Sequence, residues 1–281
     1  MHISKTAFAF DRVTSEYLRG IAIVFVVLGH ILGGQFGIFG AHITAILGTG
    51  GVSIFLLLSG YGLYQSYRKN GMETKSYWNK KLEKIFVPYA VVTIVYYLYL
   101  MLCGITPGFA KLFENILCID YARTMDGTMW YMSFLLLWYI AFFLVFLFQG
   151  SLIGKVVMLF LLGCAFRTGW LEATFGKCAW QFSENAFSFP IGVGFGYLMD
   201  LFNHARLTEK RKAVLCAFIR VAVFAGSLAV LVLGALKVFA ISYWKCGLAM
   251  FFVLYGLLSL LKKGLCVFEV AGREFFPDLS D

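Results

Sequence analysis

The chain reads as all-α, a polytopic transmembrane helix bundle of about eight spans with a cytoplasmic N-terminus, and three observations predict this. Of its 281 residues 60% are hydrophobic and 14% are charged, with a mean hydropathy of +0.81. A soluble domain carries about 45–50% apolar and about 25% charged residues, so one water-soluble core cannot hide this much apolar surface. Runs such as Ile21 to Leu28 and Phe134 to Phe148 are apolar on all sides and do not alternate, which disfavours a β-barrel. Lys and Arg are also unevenly shared among the predicted loops. Disorder, collagen, a disulfide-rich secreted module and an ordinary cytosolic enzyme are excluded.

Long apolar runs bounded by charged or turn residues place the spans near residues 17–34, 49–66, 85–104, 129–148, 152–168, 185–202, 213–234 and 243–261. A short outer loop holding His42 joins the first pair. The two longest connections, 67–84 and 105–128, are too small to fold alone, so residues 1–281 read as a single membrane-embedded domain. With the N-terminus inside, fifteen of the 24 Lys and Arg fall on inner segments and only Lys111, Arg123, Lys177 and Lys237 on outer loops. That bias accounts for most of the net charge of +9 without nucleic acid. The seven cysteines are scattered, with no Cys-x-x-Cys pair and no adjacent His, and read as small apolar residues; no metal is expected. The N-terminus shows no cleaved signal peptide.

Segment 68–84, RKNGMETKSYWNKKLEK, is the densest basic element. Tyr77, Trp78, Leu82 and Ile85 are spaced as one apolar face while Lys80, Lys81 and Lys84 project elsewhere, which predicts a short amphipathic helix on the inner leaflet. It fits an anchor for anionic membrane lipid, and also a site for a phosphorylated cytosolic ligand.

The first span pairs Arg19 with His30. Eleven residues make about three helical turns, so the two side chains lie within about 20° of one face and roughly 16 Å apart along the axis, able to line one cavity without touching. Ionisable groups inside a span are costly and point to function, although Arg19 alone fits a snorkelling residue and His30 alone fits a hydrogen-bonded core histidine. In the second span Ser59 and Tyr61 offer hydroxyls, and Gly51, Gly60 and Gly62 permit close helix approach. An acylated Ser59 would need a neighbouring base, and no Gly-x-Ser-x-Gly elbow is present. His2, His42 and His204 read as surface residues, Glu172 and Glu184 as loop carboxylates, and Trp130 and Tyr131 as an aromatic belt. Arg167 and Arg220 could pair with carboxylates or lipid phosphates.

Three ordered motifs resemble the acyltransferase 3 family of membrane acyltransferases. Leu18, Arg19, Gly20, Leu28, Gly29 and His30 match its first helix; Gly51, Val52, Phe55, Leu58, Ser59, Gly60 and Tyr61 its second; and Lys80, Lys81, Lys84, Ile85, Pro88 and Tyr89 its basic element running into Ile-x-x-Pro. Lysines here replace arginines common in that element, which keeps the charge and loses bidentate phosphate geometry. Weaker echoes are Trp130-Tyr131 and Phe189-Pro190 with Gly192.

The resemblance implies transfer of an acyl group, commonly acetyl from acetyl-CoA, to a carbohydrate hydroxyl of a surface polysaccharide or lipid-linked glycan, in the bacterial inner or cytoplasmic membrane. Acyl-CoA is then the donor, met by Arg19, Lys80, Lys81 and Lys84. His30 is the general base, a task that suits an imidazole because its ordinary pKa, about 6.5, is near neutrality. Ser59 or Tyr61 would donate to the developing oxyanion. A proton-coupled transporter of a small solute or glycan precursor is the rival, since His and Arg on one face also fit a relay, and a sensor or scaffold without chemistry is a second. Family members end in a histidine-bearing segment that leads into a final helix; here the similarity begins at Gly272 and stops before Pro277, Asp278 and Asp281, so missing closing helices are expected.

Overall fold

The computed structural model describes residues 12–33, 44–168, 170–205, 208–235 and 245–260, and no strand occurs among them. The helices are α1 (Arg12–Gly33), α2 (Thr49–Asn70), α3 (Thr74–Lys81), α4 (Val87–Leu102), α5 (Phe109–Ile116) and α6 (Trp130–Leu147). They continue with α7 (Leu152–Ala165), α8 (Leu171–Phe175), α9 (Ala179–Asn185), α10 (Ser188–His204), α11 (Glu209–Ala235) and α12 (Lys245–Leu260). Among the described residues five helices are long and apolar enough to cross a membrane: Val13–Leu32, Ile46–Asn70, Thr74–Leu102, Trp130–Leu147 and Lys210–Leu233. Helices close every backbone hydrogen bond within the segment, which is what a bilayer core demands. The all-α membrane bundle is as predicted. Of the other expected spans, α7 and the described part of α12 are apolar helices under 18 residues, and α10 has 17.

Contacts divide the chain into two compact units, residues 56–198 and the combination of 1–55 with 199–281. In the latter, α1 lies on the start of α2 with no room to spare. A Cβ on Gly29 would come within 2.7 Å of the Gly48 nitrogen, and one on Gly51 within 2.8 Å of a Val26 methyl. Gly50 is closed in the same way by Met250 of α12.

The other unit is built on aromatic packing. Trp138 of α6 stacks on Phe189 of α10 at 5.2 Å, Phe134 on Phe182 of α9 at 4.6 Å, and Phe142 on Phe146 at 4.1 Å, all of them buried. α2 meets α10 backbone to backbone: a Cβ on Gly192 would come within 2.8 Å of the Leu57 carbonyl carbon, and one on Gly196 within 2.7 Å of the Tyr64 ring. Small residues admit this close approach, which is how membrane helices associate when lipid removes the hydrophobic driving force.

Two connections differ from expectation. Residues 74–86 do not form a separate surface helix: α3 passes through a π-helical turn, Leu82–Phe86, straight into α4 as one continuous rod. The connection 105–128 carries α5, which folds back along α4, with Tyr97 Oη donating to the Pro107 carbonyl and Tyr89 Oη to the Asn115 carbonyl. The readings of His2, His42 and the Gly272–Asp281 segment lie outside the described residues.

Candidate functional site

The face of α1 that packs holds Leu18, Ala22 and Gly29, all buried. At 100° per residue Arg19 and His30 stand roughly a quarter-turn round from that seam, on one line, about 16 Å apart. Both side chains are exposed. The helix thus buries one stripe by its small residues and leaves its two ionisable groups open along a flank.

In the other unit α2 presents Ser59 half-buried, with no hydrogen-bond partner among the described residues. Tyr61 is buried, its ring packed at 5.9 Å on Phe195 of α10. Gly60 between them sits so close to the Phe189 carbonyl that no Cβ fits.

The basic element is divided by its helix. Lys80 and Lys84 are exposed, but Lys81 is only 9% exposed and turns inward, where the sequence pattern had it project outward. Its ammonium sits 3.6 Å from the centre of the Tyr77 ring and 5.7 Å from that of Tyr139 on α6. Tyr77 and Lys81 are four residues apart and so share a helix face, and Tyr77 Oη anchors that face by donating to the Tyr139 carbonyl at 2.8 Å. Tyr139 is eight residues from the end of α6, about 12 Å along the axis, so Lys81 lies well inside the level of that span. Leu82, expected on the apolar face, is 50% exposed instead: five residues on from the buried Tyr77, it stands about 140° round the helix.

A second buried ammonium was not singled out by the sequence. Lys155 of α7, 6% exposed, donates to Tyr67 Oη at 3.1 Å and to the Phe146 carbonyl at 3.3 Å, and faces the rings of Tyr67 and Phe146 at 5.0 and 5.3 Å. It thereby caps the C-terminus of α6, where the helix dipole is negative and favours a cation. Among the described residues neither Lys81 nor Lys155 has a carboxylate partner. Ring faces carry the Lys81 charge, and ring faces with a hydroxyl and a carbonyl oxygen carry that of Lys155, each cation–π contact contributing about 0.5–2 kcal/mol. The stacked Phe142–Phe146 pair connects the two cages.

The 105–128 connection holds a third charged group that sequence inspection passed over. Asp120, 8% exposed, accepts from Thr124 N at 2.8 Å, Met125 N at 3.2 Å, Asn115 Nδ2 at 3.0 Å and Thr124 Oγ1 at 3.0 Å. Burial alone would raise its pKa, but these donors outweigh it and hold the carboxyl below its ordinary value. Backbone donors arranged by two left-handed residues, Cys118 at φ 60° and Arg123 at φ 52°, leave no signal in residue type. Burial pushes the nearby Cys118 and Cys178 thiols up to about 11, so both are protonated and inert, in keeping with their reading as small apolar residues.

Arg167 does find a carboxylate, with Nη1 3.9 Å from Glu184 and donating to the Ser183 carbonyl at 3.2 Å. His204 is exposed, as expected. Of the expected site residues, Arg19 and His30 come together on one line of α1. Ser59, Tyr61, Lys80, Lys81 and Lys84 belong to the 56–198 unit, with Lys81 turned away from its two neighbours.

Over residues 13–272 the chain is similar to the acyltransferase domain described by the family model for acyltransferase 3. No curated protein and no solved structure matches it.

Proposed function

The chain belongs to the acyltransferase 3 family, and from that premise we propose that it is an O-acyltransferase that moves an acyl group, commonly acetyl, from acyl-CoA to a carbohydrate hydroxyl of a surface polysaccharide or lipid-linked sugar. An acyltransferase with several membrane-crossing helices is what the family and the helices establish. The donor, the acceptor and the bacterial inner or cytoplasmic membrane as its location are the proposal. The observation that carries it is the family match across residues 13–272, which takes in the exposed Arg19 and His30 line of α1.

In this reading His30 takes the proton from the acceptor hydroxyl as its oxygen attacks the thioester carbonyl. The C–O bond forms, the C–S bond breaks, and the CoA thiolate leaves and recovers the proton from the imidazolium. Arg19, about 16 Å along the same helix line, meets the phosphates at the far end of the donor arm. Lys80, Lys81 and Lys84 supply further positive charge, as point charges without the fork geometry of arginine. Ser59 or Tyr61 donates to the oxyanion.

The test is mass spectrometry of cell-surface glycans with and without the gene product and with the H30A variant. The expected result is an acyl mass that appears with the wild-type chain and vanishes with H30A. Uptake of a labelled solute into vesicles with no change in the glycans would overturn this reading in favour of a proton-coupled transporter, which the same Arg19 and His30 line also suits as a relay.

A further inference from the structure

We propose that the N-terminal end of α11 holds a binding site for one anionic phospholipid, independent of the chemistry at His30. α11 begins its membrane-crossing stretch with three consecutive cations, Lys210, Arg211 and Lys212. Residues four apart on a helix stand one above another, so Lys210, Val214 and Phe218 form one row and Arg211 and Leu215 the next. These five side chains line an open groove of about 470 Å³ almost wholly with carbon, Lys210 and Arg211 through their aliphatic stems. Val214 and Phe218 are 65% and 70% exposed.

The charge at the head of the groove is available. Lys212 donates to the Asn203 carbonyl at 3.1 Å, while Lys210 and Arg211 are exposed and pair with no carboxylate among the described side chains. Cations in the first turn also face the positive end of the helix dipole, an unfavourable placement that a bound anion would reverse. The occupant must then match two chemistries in order along the helix: an anion at Lys210 and Arg211, and a hydrocarbon over Val214, Leu215 and Phe218. A free phosphate or nucleotide leaves the apolar row unmatched, and an apolar peptide leaves the cations unmatched. A phosphodiester headgroup with an acyl chain running down α11 matches both, and the site begins where the membrane-crossing stretch begins.

Native mass spectrometry of the full chain in mild detergent, titrated with phosphatidylglycerol and with phosphatidylcholine, tests this. We expect phosphatidylglycerol to be retained about tenfold more tightly than phosphatidylcholine. K210Q/R211Q should weaken phosphatidylglycerol about thirtyfold, at roughly fivefold per cation, and leave phosphatidylcholine unchanged. F218A should weaken long-chain but not dihexanoyl phosphatidylglycerol, and K177A should alter neither. Equal retention of the two lipids, or unchanged phosphatidylglycerol affinity in K210Q/R211Q, would overturn the proposal. So would displacement of long-chain phosphatidylglycerol by millimolar inorganic phosphate, which would mark a bare anion site. Should the double variant not fold, the wild-type chain decides: its melting temperature must rise with phosphatidylglycerol and not with phosphatidylcholine.

Discussion

α1 and the interior of the 56–198 unit handle charge in opposite ways. On α1, Arg19 and His30 stay exposed on a flank while the packed seam is given to Leu18, Ala22 and Gly29. In the other unit, Lys81 and Lys155 are buried, and rings of Tyr77, Tyr139, Tyr67 and Phe146 surround them. An exposed ionisable group keeps its access to ligand and proton, whereas a caged ammonium is held by the rings around it. The difference sets an open line of ionisable groups against cations that tie helices together, and Lys81, buried within a basic element, is the residue on which the two arrangements meet.

The sharpest break in that comparison is H30A. If the exposed line is the reactive one, acyl transfer in isolated membranes should fall by at least about a hundredfold while membrane insertion and helix content stay intact. Substantial residual activity would remove the general-base role. R19A, at the other end of the line, should weaken donor binding roughly tenfold with the turnover of bound donor nearly unchanged, measured by CoA competition. K81M decides which role the caged lysine plays. A roughly tenfold loss of donor affinity at near wild-type melting temperature places it in the donor site, whereas a lowered melting temperature with unaltered affinity makes it structural.

Lys155 should behave as a structural residue throughout. We expect K155A to cost about 2–3 kcal/mol, from the void and the orphaned Phe146 carbonyl, and K155M less than about 1 kcal/mol, with activity per folded molecule unchanged in both. The smallest effect is expected at Asp120, the buried anion of the 105–128 connection. D120N should cost about 1 kcal/mol at neutral pH, because an amide satisfies most of the same donors. The folded carboxyl titrates below its ordinary value of 3.8, so its contribution is complete above that value and fades as the pH falls through the folded pKa. The stability gap between wild type and D120N, followed by denaturation in detergent, should therefore be flat near neutrality and close in acid.

Much of the architecture was legible in the residues. The apolar runs locate α1, α2, α4, α6 and α11 to within a few residues, and helical periodicity alone places Arg19 and His30 on one line. The basic element was misread at Lys81 and Leu82. At 100° per residue Lys81 shares the side of Tyr77 and Leu82 lies about 140° from it, and which side of α3 is buried is set by α6, which no residue type on α3 announces. Lys155 lay in a span whose surroundings were not visible, and Asp120 in a connection whose order comes from backbone donors rather than side-chain pattern.

The sequence by itself therefore determined that this is a membrane protein built of helices, and which helix carries the paired Arg and His. Apolar content and periodicity are local properties, and a bilayer leaves the backbone only one way to satisfy its hydrogen bonds within a segment. Only the tertiary structure decided which cations are buried and which stay open. The cost of removing an ammonium from water depends on the rings and carbonyls that other helices bring to it, as Tyr139 does for Lys81 and Phe146 for Lys155, and those partners lie 58 and 9 residues away along the chain.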